Sequence, residues 1–126
     1  MSEGSRQDLK KRTREFSLRV IRLYAWLPKS TVAQVLGKQV LRSATSVGAH
    51  YREATRARSD AEFISKMGGA QQELEETLYW FELLLDSGTA SQTQLGDLQD
   101  EANELMAIIV TMIRNAKRRR DGGPKD

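Results

Sequence analysis

Cysteine is absent from this chain of 126 residues, which also has two prolines and one histidine. Without cysteine, disulfides and thiolate metal sites are excluded, and nothing indicates an oxidising compartment. The longest apolar run, LMAIIV at 105–110, is far too short to span a membrane, and residues 1–16 lack the apolar stretch of a signal peptide. We therefore expect a cytoplasmic protein of bacterial type with no membrane partner.

Aromatic residues are also sparse, at 6% of the chain, and β-branched residues form few runs. Ala, Leu, Glu, Gln, Arg and Lys are abundant instead, and these residues favour helices. The composition therefore predicts an all-α protein. The length suits one domain over residues 1–126, with a modest core.

Four helices are predicted, over residues 8–27, 30–57, 60–87 and 92–118, with a basic, flexible tail over 117–126. Pro28 ends the first helix because proline cannot continue the hydrogen-bond ladder. Ser30 is placed to cap the second, and Ser59 with Glu62 has the spacing of a capping box at the start of the third. Gly88 is the expected C-terminal cap of the third helix.

Each predicted helix has one apolar face at helical spacing. The four faces are Leu9, Phe16, Val20, Leu23 and Leu27; Leu36, Val40, Ser43, Val47, Tyr51 and Ala54; Phe63, Met67, Ala70, Leu74, Leu78, Phe81 and Leu85; and Leu95, Leu98, Ala102, Leu105, Ile109 and Met112. Because short loops make consecutive helices antiparallel, these faces predict an up-down-up-down four-helix bundle.

Gly48 and Gly68 lie about ten residues on either side of the corner between the second and third helices. A glycine inside a helix costs about 1 kcal/mol relative to alanine, so a structural gain should offset it. We expect close backbone approach between the two helices at this level. A local kink at residues 67–70 is the alternative.

Charge is strongly segregated along the chain. Residues 1–58 have thirteen cations and four carboxylates, a net charge of +9, whereas residues 59–113 have one cation and eleven carboxylates, a net charge of −10. The last segment, 114–126, has six cations and two carboxylates, a net charge of +4. Such segregation favours either pairing between the two halves or binding of a polyanion.

Basic stripes on the first two predicted helices, together with the basic tail, suggest an RNA- or DNA-binding surface. The candidate contacts are Arg12, Arg19, Arg22, Lys38, Arg42, Arg52, Arg56, Arg118, Arg119 and Arg120. Trp26 lies on the stripe of the first helix and is available for stacking. The alternative interpretation of each stripe is an ordinary solvated face.

The third helix mixes acidic and large apolar residues on its outer face, which is typical of a protein contact. The candidate interface residues are His50 and Glu53 on the second predicted helix and Glu73, Glu76, Trp80 and Leu83 on the third. Contact between the basic half of one copy and the acidic half of the next would be head to tail, and such contacts close into rings or form filaments. A two-fold dimer is the alternative assembly, although direct contact between the two acidic halves would set like charges against each other. An alternative is a protein-interaction scaffold, in which the arginines pair with Glu73 and Glu76 of a neighbouring subunit.

No catalytic motif is recognisable, and we expect neither enzymatic activity nor a cofactor. A di-iron bundle needs two Glu-x-x-His elements with further glutamates, whereas this chain has a single histidine in the reverse order, His50 and Glu53. Glu101 and Glu104 on the fourth helix do not complete the set. No metal site is predicted.

The stretch LRSATSVGAHYREATRARSDAEFISKMGGAQQELEETLYWFELL, residues 41–84, resembles the four-helix-bundle family named after the protein encoded by intervening sequences in bacterial 23S ribosomal RNA genes. The matching residues are Gln39, Arg42, Ala44, Ser46, Val47, Ala49, Glu53, Ala54, Arg58, Ser59, Glu62, Phe63, Glu76, Thr77, Trp80, Glu82, Leu83 and Leu84. His50 stands where the family usually has asparagine.

The resemblance implies a bundle that assembles as a homopentameric ring. The family also resembles the accessory variability protein of diversity-generating retroelements, a basic pentamer that binds nucleic acid and a reverse transcriptase. For most of the family a biochemical role is not established. The resulting hypothesis is a non-enzymatic, nucleic-acid-binding homo-oligomer, with an adaptor role and a protein partner such as a reverse transcriptase as further expectations.

Overall fold

The computed structural model describes the backbone of residues 3–122 and the side chains of residues 8–122. The described chain forms four helices and no strand: α1 Glu3–Trp26, α2 Thr31–Thr55, α3 Asp60–Asp86 and α4 Gln92–Arg120. The prediction of an all-α four-helix bundle is confirmed.

Serine side chains start three of the helices. Ser30, Ser59 and Ser91 have extended backbones, and each Oγ accepts a hydrogen bond from the backbone N–H three residues on. Ser91 and Gln94 form a complete, reciprocal capping box. The predicted box at α3 is half formed, because Glu62 Oε2 accepts from the Arg58 N–H, at 3.3 Å, instead of from Ser59.

A glycine cap ends α3. Gly88 follows α3 with φ of 72°, in the left-handed region that glycine adopts without steric cost. The N–H of Thr89 donates to Leu84 O and that of Gly88 to Leu85 O, each at 3.0 Å, which is the Schellman arrangement. The predicted stop after α3 is therefore present.

The last helix continues further than its composition suggests. α4 ends at Arg120, so residues 117–120 of the predicted flexible tail are helical. The four cations in this last turn oppose the negative end of the helix dipole and stabilise it. Residues 123–126 of the predicted tail lie outside the described residues.

Each helix packs against its neighbours in a closed square. The α2–α3 seam is the most extensive, α3–α4 and α1–α2 follow, and α1–α4 is the thinnest. Side chains from all four helices meet in one core, where Phe16 and Phe81 form an edge-to-face pair with centroids 6.5 Å apart. Most of the predicted core positions are buried, and Leu36, Phe63, Leu78 and Leu85 are partly buried.

A polar contact interrupts the apolar α2–α3 seam. Ser43 and Thr77 are completely buried, and their hydroxyl oxygens are 2.8 Å apart. Thr77 Oγ1 also contacts Glu73 O at 2.8 Å, and Ser43 Oγ contacts Val40 O at 3.4 Å. The two hydroxyl groups therefore have partners although they lie away from water.

The glycine contacts differ from the prediction. A Cβ atom at Gly68 would meet nothing within 4 Å, so Gly68 is not a point of close approach, and α3 continues unbroken through it. A Cβ at Gly48 would lie 3.2 Å from Thr13 Oγ1, so Gly48 allows α1 to approach α2. The closest approach is at buried Gly37, where a Cβ would lie 2.9 Å from both Leu27 Cδ1 and Tyr24 Cδ1.

Alanine substitutions at Gly37 and Gly68 should therefore have opposite effects on stability. We expect Gly68→Ala to raise the free energy of unfolding by about 0.5–1 kcal/mol, because helix propensity improves without a clash. Gly37→Ala should lower it by about 1 kcal/mol, because overpacking against Tyr24 and Leu27 outweighs the same gain. Urea unfolding of both variants measures the difference, and equal effects would contradict the packing described for Gly37.

Candidate functional site

Arg12 joins α1 to α4. Its Nη2 lies 2.6 Å from Glu101 Oε1 and 2.8 Å from Glu104 Oε2, and its Nε donates to Glu101 Oε2 at 3.0 Å. The side chains of Arg12 and Glu101 are only 25% and 17% exposed. The hydrogen bonding of Arg12 to the Glu101 carboxylate, in which the guanidinium is the donor, raises the pKa of Arg12 above its ordinary value. Arg12, a candidate nucleic-acid contact, is thus occupied within the fold.

Arg42 joins α2 to α3 in a similar way. Its Nη1 lies 2.9 Å from Glu73 Oε2 and its Nη2 3.4 Å from Glu76 Oε1. The side chain of neighbouring Glu73 raises the pKa of Glu76, an effect that Arg42 only partly opposes. The pairing proposed between neighbouring subunits therefore occurs inside one chain for these three residues.

The same seam holds the pair Glu53 and Lys66, whose Oε2 and Nζ atoms are 3.0 Å apart. Their contact lowers the pKa of Glu53 and raises the pKa of Lys66. His50 Nδ1 is buried without a hydrogen-bond partner among the described residues, and Glu53 Oε1 lies 3.7 Å away. His50 packs on Gly69, where a Cβ would be 3.0 Å from Nδ1.

Trp80 and Leu83 are less exposed than expected for residues on the outer face of α3. Both side chains are half-buried, and Trp80 packs against the core and beside Tyr79, with ring centroids 5.1 Å apart. The Trp80 Nε1–H is buried and has no hydrogen-bond acceptor in the described part of the chain. The more exposed aromatic residue of α3 is Tyr79, a residue that the helical phase did not select.

Arg19 and Arg22 lie on a shallow groove of about 300 Å³ between α1 and α4, beside Trp26. Trp26 is 78% exposed, and Asp97 lines the opposite side of the groove. Lys38 is exposed on α2. These three candidate cations lie toward the other end of the bundle from the last turn of α4.

A larger group of cations gathers where α2 ends, α3 begins and α4 ends. We call this group the basic end; it comprises Arg52, Arg56, Arg58, Lys117, Arg118, Arg119 and Arg120, all exposed. Arg119 Nε donates to Asp60 Oδ1 at 3.3 Å, which attaches the end of α4 to the start of α3. Arg120 pairs with Asp121 at 2.9 Å, a contact that lowers the pKa of Asp121 and raises that of Arg120.

Two residues of the basic end, Arg58 and Lys117, were not among the sequence-predicted contacts. Arg58 lies between helices, so helical phasing does not assign it a face. Lys117 begins the basic run of α4 and is exposed like the three arginines that follow it. In the sequence, both residues lie close to candidate contacts: Arg58 is two residues from Arg56, and Lys117 is next to Arg118.

A cavity of about 550 Å³ opens within the basic end. Phe63 and Met112 contribute apolar surface to it, Asn115 an amide, and Arg58 and Arg119 guanidinium groups. Guanidiniums bind phosphate, and amides pair with the edges of bases, so the arrangement offers groups for recognising a nucleotide.

Two further observations concern other kinds of site. In residues 8–122, no group of three His, Asp or Glu side chains is placed to hold a metal ion. Within the described helices, none is both long and apolar enough to cross a lipid bilayer.

The fold and surface define a small antiparallel four-helix bundle whose opposite charges pair across its seams and which has a large group of exposed cations at one end. Residues 5–111 match the family described as 23S rRNA-intervening sequence protein. The chain belongs to this family.

One solved structure extends the comparison. The chain is similar to a crystal structure from Bacteroides thetaiotaomicron, described as a protein with unknown function from the S23 ribosomal protein family. The sequences are 35% identical and the TM-score is 0.81, over 86% of this chain and 97% of the other. No curated protein sequence matches this chain.

Removal of the Arg12 side chain should weaken the α1–α4 seam. We expect Arg12→Ala to lower the free energy of unfolding by about 2 kcal/mol, because Glu101 would keep a poorly hydrated charge without a partner. Arg14→Ala removes an exposed cation from the same helix and should change it by less than about 0.5 kcal/mol. Chemical denaturation of the two variants compares them, and equal losses would argue against a stabilising role for the pair.

Two glutamates of the α2–α3 seam should show opposite pH dependence. Because its pKa is lowered, Glu53 contributes stability that is present at neutral pH and is lost as the pH falls through its folded-state pKa. Because its pKa is raised, ionised Glu76 removes stability as the pH rises through its pKa. Relative to the unmodified chain, the melting temperature of Glu53→Gln should fall with rising pH, and that of Glu76→Gln should rise.

Thermal melts from about pH 4 to neutral pH test both trends across the range where carboxylates titrate. Glu82→Gln removes an exposed carboxylate of α3 and controls for the change in net charge. Parallel trends for Glu53→Gln and Glu76→Gln would contradict the assigned interactions.

Proposed function

We propose that this chain is a non-enzymatic, nucleic-acid-binding protein whose contact surface is the basic end. The observation that carries the proposal is the contact between Arg119 and Asp60, at 3.3 Å, which joins basic segments 59 positions apart in sequence. RNA or single-stranded DNA would be held mainly through its phosphates, since arginine and lysine are the principal phosphate-binding side chains.

The local charge balance supports this surface. The basic end has seven cations, against the four carboxylates Glu53, Asp60, Glu62 and Asp121 in the same segments. Two of these carboxylates contact Arg119 and Arg120, but each contact uses only the Nε atom of the arginine. The terminal nitrogens of a guanidinium can still reach a phosphate.

Stabilisation of helix termini accounts for only part of this charge. α2 and α4 both end here, and cations near a helix C-terminus stabilise it by about 0.3–1 kcal/mol each. However, α1 and α3 begin at the same end of the antiparallel bundle, and their dipoles oppose those of α2 and α4. The cations of the basic end therefore exceed what the helix termini require, which leaves them suited to an external anion.

The proposal includes self-association. Ile21, Val32, Val35 and Tyr79 are large apolar residues with roughly half of their surface exposed, and such surface favours a protein contact. The pentamer and the reverse transcriptase partner implied by the family resemblance stay predictions, as does the adaptor role. The scaffold alternative needs cations other than Arg42, because Arg42 pairs within its own chain.

The triple variant Arg52→Gln, Arg56→Gln and Arg58→Gln tests the surface. We expect its affinity for a labelled RNA oligonucleotide to fall at least about tenfold at moderate salt, because three phosphate contacts are removed. The slope of log affinity against log salt concentration should become shallower by about 2 to 3. Fluorescence anisotropy over a series of KCl concentrations measures both quantities.

A matched control removes the same charge from the opposite end of the bundle. Arg22, Lys29 and Lys38 are exposed there, and replacing all three by glutamine should leave most of the binding intact. Native mass spectrometry of each protein compares its mass with multiples of 14.2 kDa and shows whether the assembly changes. Equal losses in both variants would indicate a net-charge effect, and a loss confined to the control would exclude the basic end.

A further inference from the structure

We propose that the cavity of the basic end accepts one unstacked nucleotide, so that the protein selects single-stranded nucleic acid over a duplex. The inference rests on the proposed function and names the part of the nucleic acid that enters the site. It starts from the volume of the cavity, about 550 Å³, which lies within the range of about 300–1,000 Å³ typical of small-ligand sites.

The lining matches the parts of a nucleotide. Phe63 is half-buried and lines the cavity with Met112, so the recess offers aromatic and apolar surface against which a base can stack. The Asn115 amide has both donors and acceptors, as the edge of a base requires. Arg58 and Arg119 lie on the same cavity and supply charge for the attached phosphate.

Existing contacts leave part of this polar lining available. Ser59 Oγ accepts from the Glu62 N–H and keeps its own O–H as a donor, while Thr55 donates to Arg52 O and keeps lone pairs as acceptors. The Arg119 contact with Asp60 uses Nε, and no described hydrogen bond uses its terminal nitrogens. A ligand can therefore bind without breaking the contact that attaches α4 to α3.

The surrounding charge favours a polymer over an isolated small acid. A carboxylate metabolite would use only the guanidiniums of the cavity, whereas a strand with one nucleotide in the recess places neighbouring phosphates near Arg56 and Lys117. A duplex keeps its bases stacked and paired, so its phosphates can contact the cations of the basic end but its bases cannot enter the cavity. Recognition through an unstacked base is the usual way in which proteins read single strands.

Two variants of the cavity test the proposal. Ala57→Phe fills the recess without changing charge, and Asn115→Leu removes the amide at nearly constant size. Asn103→Leu makes the same change on an exposed position of α4 outside the cavity and is the matched control. Circular dichroism verifies that each variant is folded, and two different cavity variants guard against a folding defect in one of them.

The ligands are a labelled single-stranded RNA, a hairpin duplex of the same composition, and the four nucleoside monophosphates. We expect the unmodified protein to prefer the single strand. Each cavity variant should bind the single strand about tenfold more weakly, because Ala57→Phe excludes the stacked base and Asn115→Leu removes the hydrogen bonds to the edge of that base. Each should bind the duplex unchanged. Asn103→Leu should behave like the unmodified protein.

The outcomes separate this inference from the proposed function. If the triple arginine variant loses binding while both cavity variants bind the single strand normally, the basic end binds nucleic acid and the nucleotide pocket is refuted. Equal binding of single strand and duplex by the unmodified protein refutes it too. Monophosphates that bind as tightly as the oligonucleotide would identify a small-molecule site instead. If neither RNA binds the unmodified protein, and a labelled single-stranded DNA of the same sequence does not bind either, the proposed function itself fails.

Discussion

The ion pair between Arg12 and Glu101 closes the four-helix bundle. The first and last helices share the thinnest seam, so apolar packing contributes least there, and a largely buried charge pair joins them instead. Such a pair stabilises only while both partners are present, because either charge alone would be poorly hydrated. The segregation of charge along the sequence is thus first a property of the fold, with a basic α1 and α2 facing an acidic α4 and α3.

Internal pairing also determines which cations remain for other uses. Arg12 and Arg42 are bound by two carboxylates each, and Lys66 by one, at the seams. The basic end lies beyond most of the acidic residues of α3 and α4, so its charge is not neutralised to the same extent. Two of its cations, Arg58 and Arg119, also line a cavity, and this combination of charge and concave shape distinguishes the basic end from an ordinary solvated face.

Local sequence signals predicted the fold well, because caps and apolar spacing act within a few residues. Ser30, Ser59 and Gly88 occupy the helix boundaries expected of them. Contacts between helices were harder to predict from the sequence. The antiparallel order determines which residues of two helices lie at the same height along the bundle, but it does not determine how each helix is rotated about its axis. Gly48 therefore faces Thr13 of α1 instead of α3, and Trp80 turns partly into the seam. The cavity depends on the meeting of three helix ends, which no single segment encodes.

The buried Ser43–Thr77 contact makes sliding of α2 along α3 expensive. If α3 shifted by one helical turn, about 5.4 Å, the two hydroxyl groups would lose each other as partners and keep only the carbonyl contacts within their own helices. An apolar seam alone tolerates such shifts, since one aliphatic side chain replaces another at little cost. One pair of small polar residues therefore discriminates between alternative alignments of the two most extensively packed helices. The position of the α2–α3 corner, and with it the shape of the basic end, follows from that alignment.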